Sequence, residues 1–255
     1  HMKLARIYEC KNMFNEAIKT YQTISKLNPN YHEVYYNLGC VYSEIKEYDK
    51  AIENYRKTIE LNPRYAQAYN NLGIVYRKLG KYDKAIENYQ KAIELNPRHV
   101  DAHNNLGILY HKLEKYDKAL QEYEKVVELD PKHIQAYNIL GTLYRKLGMP
   151  DKALQVYQKA IELNPKYYEA YNNLGNLYAM RKEYDKAIQN YEKAIEIDTN
   201  YADAHDNLGN LYYEQKEYNK ALQKFEIALK LSPNDKDIQY KIKLLQQLVR
   251  DNQGK

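Results

Sequence analysis

Asparagine recurs at intervals of 34 residues along most of the chain. A carboxamide both donates and accepts hydrogen bonds, so it can pair with the N–H and C=O groups of a peptide backbone without reading side chains. Because Asn is a mediocre helix former, its recurrence inside predicted helices indicates a role other than helix formation. The alternative is that duplication copied the asparagine together with its scaffold. This asparagine row comprises Asn37, Asn71, Asn105, Asn173 and Asn207, and Ile139 interrupts it.

Two further sets of residues recur near the asparagine row. Three positions after each asparagine of the row, the residue type varies from copy to copy. Two of these positions hold Asn176 and Asn210, which add two carboxamides to the predicted peptide-binding face. Basic residues cluster in three successive 34-residue intervals, which favours ligands with acidic side chains at their centre. The alternative is that these cations only keep an exposed helix face soluble. This basic cluster comprises Arg77, Lys78, His111, Lys112, Arg145 and Lys146.

The inventory of reactive residues argues against catalysis. Eight of the nine glycines belong to a repeating frame or to predicted turns, and the ninth is Gly254, so none remains for a phosphate-binding loop. The few serines lie outside any nucleophile-elbow motif. His99 and His103 are spaced like a metal pair, but they fill a turn and a packing position, so we assign them structural roles. We therefore predict no enzyme, no cofactor and no metal site.

Composition and charge exclude other classes of function. The chain has 39 basic and 34 acidic residues among 255, and this balance argues against nucleic acid as the partner. No apolar run approaches the roughly 20 residues of a membrane span, so none is predicted. Cys10 and Cys40 form neither a disulfide framework nor a metal-binding spacing.

The elements that position these residues follow from a frame centred on glycine. The frame glycines are Gly39, Gly73, Gly107, Gly141, Gly175 and Gly209, and one copy of the frame reads Tyr69, Leu72, Gly73, Tyr76, Ala85, Tyr89 and Pro97. The first four of these residue types fall on one face of a helix. Tyr and Leu supply buried area, while Gly and the reciprocal Ala let a second helix approach. Asn-Pro pairs end that second helix.

A 34-residue period with this signature resembles the tetratricopeptide repeat, a helix–turn–helix unit that stacks into a solenoid. The resemblance implies an all-α, right-handed α-solenoid superhelix of about seven helix pairs plus a C-terminal capping helix. It also implies that the face carrying the asparagine row lines a concave groove. The row is similar to the asparagine ladder in the repeat arrays of O-linked N-acetylglucosamine transferase, and no glycosyltransferase domain accompanies it in this chain.

Some tetratricopeptide proteins bind chaperone C-termini through a carboxylate clamp, and this sequence matches that clamp incompletely. The nearest set is Asn176, Asn207 and Lys241. Asn172 stands where the clamp needs Lys, and Asp237 stands where it needs a second basic residue. These departures argue against a chaperone C-terminus as the ligand.

The frame predicts a tetratricopeptide array over residues 1–234. Its repeats are a truncated copy at about 1–31 and full copies at 32–65, 66–99, 100–133, 134–167, 168–201 and 202–234. First helices are expected near 32–45, 66–79, 100–113, 134–147, 168–181 and 202–215. A capping helix is predicted at 235–251, followed by a tail at 252–255. Its apolar side would be Ile238, Ile242, Leu245 and Val249, with Lys236, Lys241, Lys243 and Gln246 elsewhere.

The N-terminal end differs from the capped C-terminal end. His1-Met2 resembles a cloning remnant, and the array opens inside a repeat at Leu4. We therefore expect the natural protein to extend further at its N-terminus. We also expect the first repeat to be the least stable and to gather intermolecular contacts.

Three functions fit these observations. The first is a protein-interaction scaffold whose groove holds an extended peptide or partner segment, acidic at its centre. The second is a substrate-recruiting regulatory domain of a larger enzyme, such as a glycosyltransferase. The third is self-assembly through the exposed N-terminal repeat.

Overall fold

The computed structural model describes residues 1–253, with side chains through residue 248. Within that range every element is an α-helix, and the predicted array of seven helix pairs and one further helix is confirmed. The helices are α1 (Met2–Cys10), α2 (Phe14–Leu27), α3 (His32–Glu44), α4 (Tyr48–Leu61), α5 (Ala66–Lys78), α6 (Tyr82–Leu95), α7 (Val100–Lys112), α8 (Tyr116–Leu129), α9 (Ile134–Lys146), α10 (Pro150–Leu163), α11 (Tyr168–Met180), α12 (Tyr184–Ile197), α13 (Ala202–Glu214), α14 (Tyr218–Leu231) and α15 (Lys236–Gln253).

The chain forms two compact units. The first, His1–Pro131, contains α1–α8, and the second begins at Lys132 and contains α9–α15. Within each unit, helices that follow one another in the chain pack together. First helices of successive pairs also touch: α3 with α5 and α5 with α7 in the first unit, and α9 with α11 and α11 with α13 in the second. Residues on one face of these first helices are therefore neighbours within a unit.

The boundaries of the first helices agree with the sequence prediction to within one residue. Each first helix from α3 to α13 begins where predicted and ends one residue earlier. Pro150 is the first residue of α10, a position at which the missing N–H of proline costs no helical hydrogen bond. Among the described residues, no helix is both long enough and apolar enough to cross a membrane.

The frame glycines make room for an aromatic ring of the second helix. A Cβ atom at Gly39 would lie 2.6 Å from Cε1 of Tyr55, and one at Gly73 would lie 2.7 Å from Cε1 of Tyr89. These rings are almost fully buried. The sequence had suggested Ala at the neighbouring second-helix position as the reciprocal partner of Gly. At Gly73 the nearest atoms instead belong to Tyr89, and the Ala85 carbonyl oxygen is farther away at 3.2 Å.

Helix α15 packs against the last helix pair as a cap. Ile238, Ile242 and Leu245 are buried in one cluster with Phe225 and Ala228. The Val249 side chain lies outside the described residues. The helix continues to Gln253, so the predicted boundary at residue 251 was two residues short, and residues 254–255 are not described.

One residue predicted for the polar side of α15 has a different environment. Lys236, Lys243 and Gln246 are exposed as expected, but Lys241 is half-buried. Its Nζ lies 2.9 Å from Oδ1 of Asp206 and 2.7 Å from Oδ2 of Asp237. Lys241 therefore attaches the cap to α13 through an ion pair, which its sequence context did not indicate.

Candidate functional site

In the first unit, the asparagine row forms hydrogen bonds between successive first helices. Asn105 Nδ2 on α7 donates to Asn70 Oδ1 on α5 at 3.0 Å. Asn70 Nδ2 donates to Asn71 Oδ1 at 3.1 Å, and Asn71 Nδ2 donates to Tyr36 Oη on α3 at 2.9 Å. These groups thus make a continuous polar chain across three helices.

The second unit repeats this geometry. Asn173 Nδ2 donates to Asn138 Oδ1, and Asn207 Nδ2 donates to Asn172 Oδ1, both at 2.9 Å. In the hydrogen bonds from the row to an oxygen of the preceding first helix, donor and acceptor are 35 residues apart, and Lys241 and Asp206 have the same separation. The acceptors were missed by the sequence analysis. The Asn-Asn pairs at 70–71, 104–105 and 172–173 were the available signal.

Each bridging amide has hydrogen-bonding groups beyond the one that makes the bridge. A carboxamide has two N–H groups and an oxygen with two lone pairs. The bridge to the preceding helix uses one N–H, and the members of the row are half-buried. Asn71 makes two further contacts, because its Oδ1 accepts from Asn70 and its Nδ2 lies 3.6 Å from Cys40 Sγ. Asn37 Nδ2 is buried without a hydrogen-bond partner, and position 35 residues earlier is Met2, a poor acceptor. The row therefore joins successive first helices through Asn71, Asn105, Asn173 and Asn207.

The two additional predicted carboxamides have local partners. Tyr191 Oη donates to Asn176 Oδ1 at 2.8 Å, so this asparagine satisfies a buried tyrosine of α12. In the next pair Phe225 replaces that tyrosine, and Asn210 Nδ2 donates to Asp206 Oδ2 at 3.1 Å. Neither contact uses every hydrogen-bonding group of the amide.

The basic cluster divides between the two units. Arg77, Lys78, His111 and Lys112 lie in the first unit at the ends of α5 and α7, and Arg145 and Lys146 end α9 in the second. The three lysines are exposed, whereas Arg77, His111 and Arg145 are half-buried. Lys78 Nζ lies 5.8 Å from the centre of the Tyr48 ring, and Lys112 Nζ lies 4.9 Å from that of Tyr82. These distances fit cation–π contacts that hold each ammonium near the surface.

A cleft of about 300 Å³ in the second unit brings several predicted residues together. It is lined by four predicted residues, Arg145, Asn176, Asn207 and Asn210, and also by Met180, Tyr191 and Glu214. A smaller cleft of about 170 Å³ in the first unit includes Cys40 and Asn71. Larger clefts beside Tyr35 and Tyr69 lie along α4 and α6 and contain none of the predicted residues.

The histidine pair considered as a metal site has structural contacts. His99 Nδ1 accepts a hydrogen bond from the Ala102 backbone N–H at the start of α7. His103 Nδ1 lies 2.7 Å from Glu122 Oε2, and its Nε2 lies 3.1 Å from the Pro97 carbonyl oxygen. Both partners of His103 are acceptors, so only the protonated ring can donate to both. No group of three or more metal-binding side chains occurs among the described residues.

His103 and His205 occupy equivalent positions with opposite environments. Burial lowers the pKa of His103, but hydrogen bonds to Glu122 and Pro97 more than offset this effect, and the net pKa is raised. Burial lowers the pKa of His205, whose Nε2 lies 3.3 Å from the Thr199 carbonyl oxygen and whose Nδ1 is buried without a partner.

These environments predict opposite responses of stability to pH. The contribution of His103 should be present below its unfolded pKa and lost as pH rises through its higher folded pKa. The contribution of His205 should be present above its unfolded pKa and lost as pH falls through its lower folded pKa. Tyr fills this position in other repeats, so His103→Tyr and His205→Tyr can be compared in thermal unfolding between pH 5 and 8.5. We expect His103→Tyr to lack the stability that protonated His103 adds at low pH. We expect His205→Tyr to avoid the loss of stability that His205 causes at low pH. The same pH profile in both variants would contradict this assignment.

Comparison with known families identifies the fold. Tetratricopeptide-repeat models match residues 32–65, 64–132, 98–166, 134–200 and 166–234, and a further repeat model of this kind matches residues 6–46. The chain belongs to the tetratricopeptide-repeat family. None of the curated proteins compared matches its sequence.

Solved structures of tetratricopeptide proteins resemble the chain. YrrB, described as a tetratricopeptide protein with an unusual peptide-binding site, is 29% identical with a TM-score of 0.61, and the match covers 76% of this chain and 100% of YrrB. A MamA structure is 32% identical with a TM-score of 0.58, covering 64% of this chain and 95% of MamA. The C-terminal part of a Cytophaga hutchinsonii repeat protein has a TM-score of 0.76 over 95% of this chain and 99% of its own, but at 21% identity it shows only the fold.

The tetratricopeptide carboxylate clamp is not reproduced by the nearest set of residues. Lys241 is engaged by Asp206 and Asp237. Burial lowers the pKa of Lys241, but its hydrogen bonds to these two carboxylates raise it overall. The Lys241 ammonium is therefore neutralised by the protein itself, in line with the sequence argument against a chaperone C-terminus.

Proposed function

We propose that this tetratricopeptide protein is a protein-interaction scaffold that binds an extended peptide along its first helices. The observation that carries the proposal is the convergence of Arg145, Asn176, Asn207 and Asn210 on one cleft. The half-buried amides can pair with peptide N–H and C=O groups. Because every peptide has these backbone groups, such pairing does not depend on the sequence of the ligand. The peptide-binding site named for YrrB supports this proposal at 29% identity.

The basic cluster supports a preference for acidic peptides. Its exposed lysines and half-buried arginines place positive charge beside the asparagine row. Exposed charge pairs contribute about 0.2–1 kcal/mol each and weaken with added salt. The cluster would therefore adjust affinity and association rate, while the amides hold the backbone.

Charge reversal tests the role of this cluster. Lys78, Lys112 and Lys146 are changed together to Glu, and affinities for an acidic and a basic peptide are measured by fluorescence anisotropy at several salt concentrations. We expect the acidic peptide to bind about tenfold more weakly or worse, because three favourable pairs become unfavourable. We also expect its salt dependence to flatten.

A matched variant controls for net charge. Lys84, Lys118 and Lys152 are also exposed and lie on second helices, and the Nζ atom of each is 5.3–5.7 Å from a tyrosine ring centre. Changing these three to Glu alters the net charge by the same amount and should leave affinity nearly unchanged. Equal effects of the two triple variants would show that the basic cluster only solubilises the protein.

Self-assembly is the second candidate, and one observation favours it. Leu4 and Ile7 on α1 are 42% and 50% exposed. Light scattering over a range of concentrations separates the two functions, because peptide binding by a monomer requires no increase in mass. Loss of self-association in a Leu4→Lys, Ile7→Lys variant would support the N-terminal repeat as the contact. A role in recruiting substrates for a larger enzyme is compatible with the same peptide-binding surface.

A further inference from the structure

The cleft of the second unit presents three different chemistries in a fixed order. Arg145, Met180 and Glu214 lie at corresponding places near the ends of α9, α11 and α13, and all three line the cleft. They are 35 and 34 residues apart, one in each successive repeat. The order along the cleft is therefore cation, thioether and anion.

Arg145 is only partly engaged by protein side chains, although its guanidinium also interacts with the Tyr157 hydroxyl. Its Nη1 lies 3.7 Å from Met180 Sδ, and a thioether is only a weak acceptor. Its Nε has no hydrogen-bond partner either, but that atom is buried and out of a ligand's direct reach. A guanidinium carries five N–H donors arranged to match a carboxylate, so a ligand carboxylate would be a better partner than the methionine.

Met180 and Glu214 suit different parts of the same ligand. Met180 is 61% exposed to solvent, a large fraction for an apolar residue. The flexible methionine side chain can adapt its shape to apolar ligand groups. Glu214 is an exposed carboxylate on the other side of the cleft. Burial raises the pKa of Tyr191, with Glu214 raising it further and Arg145 lowering it. Both charges therefore act on one hydroxyl in the cleft wall.

We propose that this cleft binds a peptide segment carrying an acidic, an apolar and a basic side chain in that order, and so fixes the direction in which the peptide lies. The acidic group would pair with Arg145, the apolar group would pack on Met180, and the basic group would pair with Glu214. The axes of packed helices lie about 8–10 Å apart, and an extended strand rises about 3.3 Å per residue. The three peptide side chains, each facing one of three successive helices, would therefore be about three residues apart in the peptide. This proposal rests on the proposed peptide-binding function.

Selection from a displayed library of random twelve-residue peptides provides the first test. We expect enriched peptides to carry an acidic and a basic residue about six positions apart, always in the same N-to-C order, with an apolar residue between them. Enriched peptides without a consistent charge order would overturn this proposal and leave the proposed function standing. Failure to enrich any peptide over a blank surface would contradict the proposed function and this proposal together.

Exchange of charges provides the second test. The best peptide is compared with a version in which its acidic and basic residues are exchanged, so composition and net charge stay the same. We expect the exchanged peptide to bind at least about tenfold more weakly, because two charge pairs become repulsive. The double variant Arg145→Glu, Glu214→Arg should reverse this preference.

The second unit offers a matched control for the charge exchange. Arg181 and Asp151 form an ion pair of 2.6 Å, and neither lines the cleft, although Arg181 follows Met180 in the chain. The double variant Arg181→Asp, Asp151→Arg should keep the wild-type preference. Should the Arg145, Glu214 double variant fail to fold, the single surface change Glu214→Gln serves instead, and it should remove selection for the basic residue. Equal binding of both peptides to the wild-type protein, or an unchanged preference in the Arg145, Glu214 variants, would contradict the proposal.

Discussion

Replacing Asn71, Asn105 and Asn173 together with alanine is expected to weaken peptide binding at least about tenfold and to lower the free energy of unfolding by about 1–4 kcal/mol. The loss of affinity follows from the amide groups that these residues offer to a peptide backbone. The loss of stability follows from their hydrogen bonds to Tyr36, Asn70 and Asn138 on the preceding first helices. Alanine's better helix propensity recovers only part of that loss, because it is worth at most about 0.7 kcal/mol per residue.

The stability effect would not be expected from the sequence alone. With the asparagines regarded only as ligand-binding groups, alanine at these positions would leave the fold intact or more helical. The structure shows that each amide also joins two repeats, so binding and stability change together.

Three asparagines on second helices provide the matched control. Asn54, Asn88 and Asn190 are half-buried residues whose Nδ2 groups donate to backbone carbonyls of their own helices. Alanine at these positions should leave stability unchanged or raised, since such local bonds add little to a helix. Chemical unfolding and peptide titration of both triple variants decide the matter. Equal unfolding free energies would contradict the bridging role, and equal affinities would favour duplication of a scaffold residue.

Replacing Leu245 with alanine is expected to cost about 2–4 kcal/mol of the stability of the last helix pair and its cap. Leu245 is 1% exposed and belongs to the cluster that includes Phe225 and Ile242. The change removes buried apolar area and leaves a cavity between α15 and α14. Hydrogen exchange of α14 and α15 should therefore accelerate strongly, because a repeat array can open locally at its end.

The adjacent leucine controls for helix propensity and position. Leu244 is 38% exposed, so Leu244→Ala should change stability by no more than about 0.5 kcal/mol. Similar exchange rates in the two variants would mean that α15 does not stabilise the array by burial. The same experiment compares residues 3–27 with residues 100–130 and so tests the expected weakness of the first repeat.

The sequence predicted the helices well because their signals are local and periodic. Gly73, with Tyr and Leu at helical spacing, marks the packed face of a first helix, and Asn-Pro pairs mark the end of a second. The acceptor role of Asn70 could not be predicted in the same way. It depends on residues 35 positions apart becoming neighbours, which requires the stacking of two helix pairs.

The charge environments of Lys241 and Arg145 could not be predicted from local sequence patterns either. Lys241 looked like a solvated residue of an amphipathic helix, but its position on α15 corresponds to an asparagine of the row and brings it to Asp206. Similarly, Arg145 was predicted as part of a basic cluster. Its contact with Met180 and its place in the cleft became visible only with the packing of α9 against α11.

The most direct test of the central claim observes the asparagine side chains during peptide binding. In ¹⁵N-correlated NMR spectra, the side-chain NH₂ signals of Asn71, Asn105, Asn173 and Asn207 can be assigned by single substitutions and followed during titration with a selected peptide. The proposed function predicts saturable shifts of these signals, with those of Asn54, Asn88 and Asn190 unchanged. Saturable binding that shifts only the second-helix asparagines, or none of these amides, would contradict peptide recognition by the asparagine row.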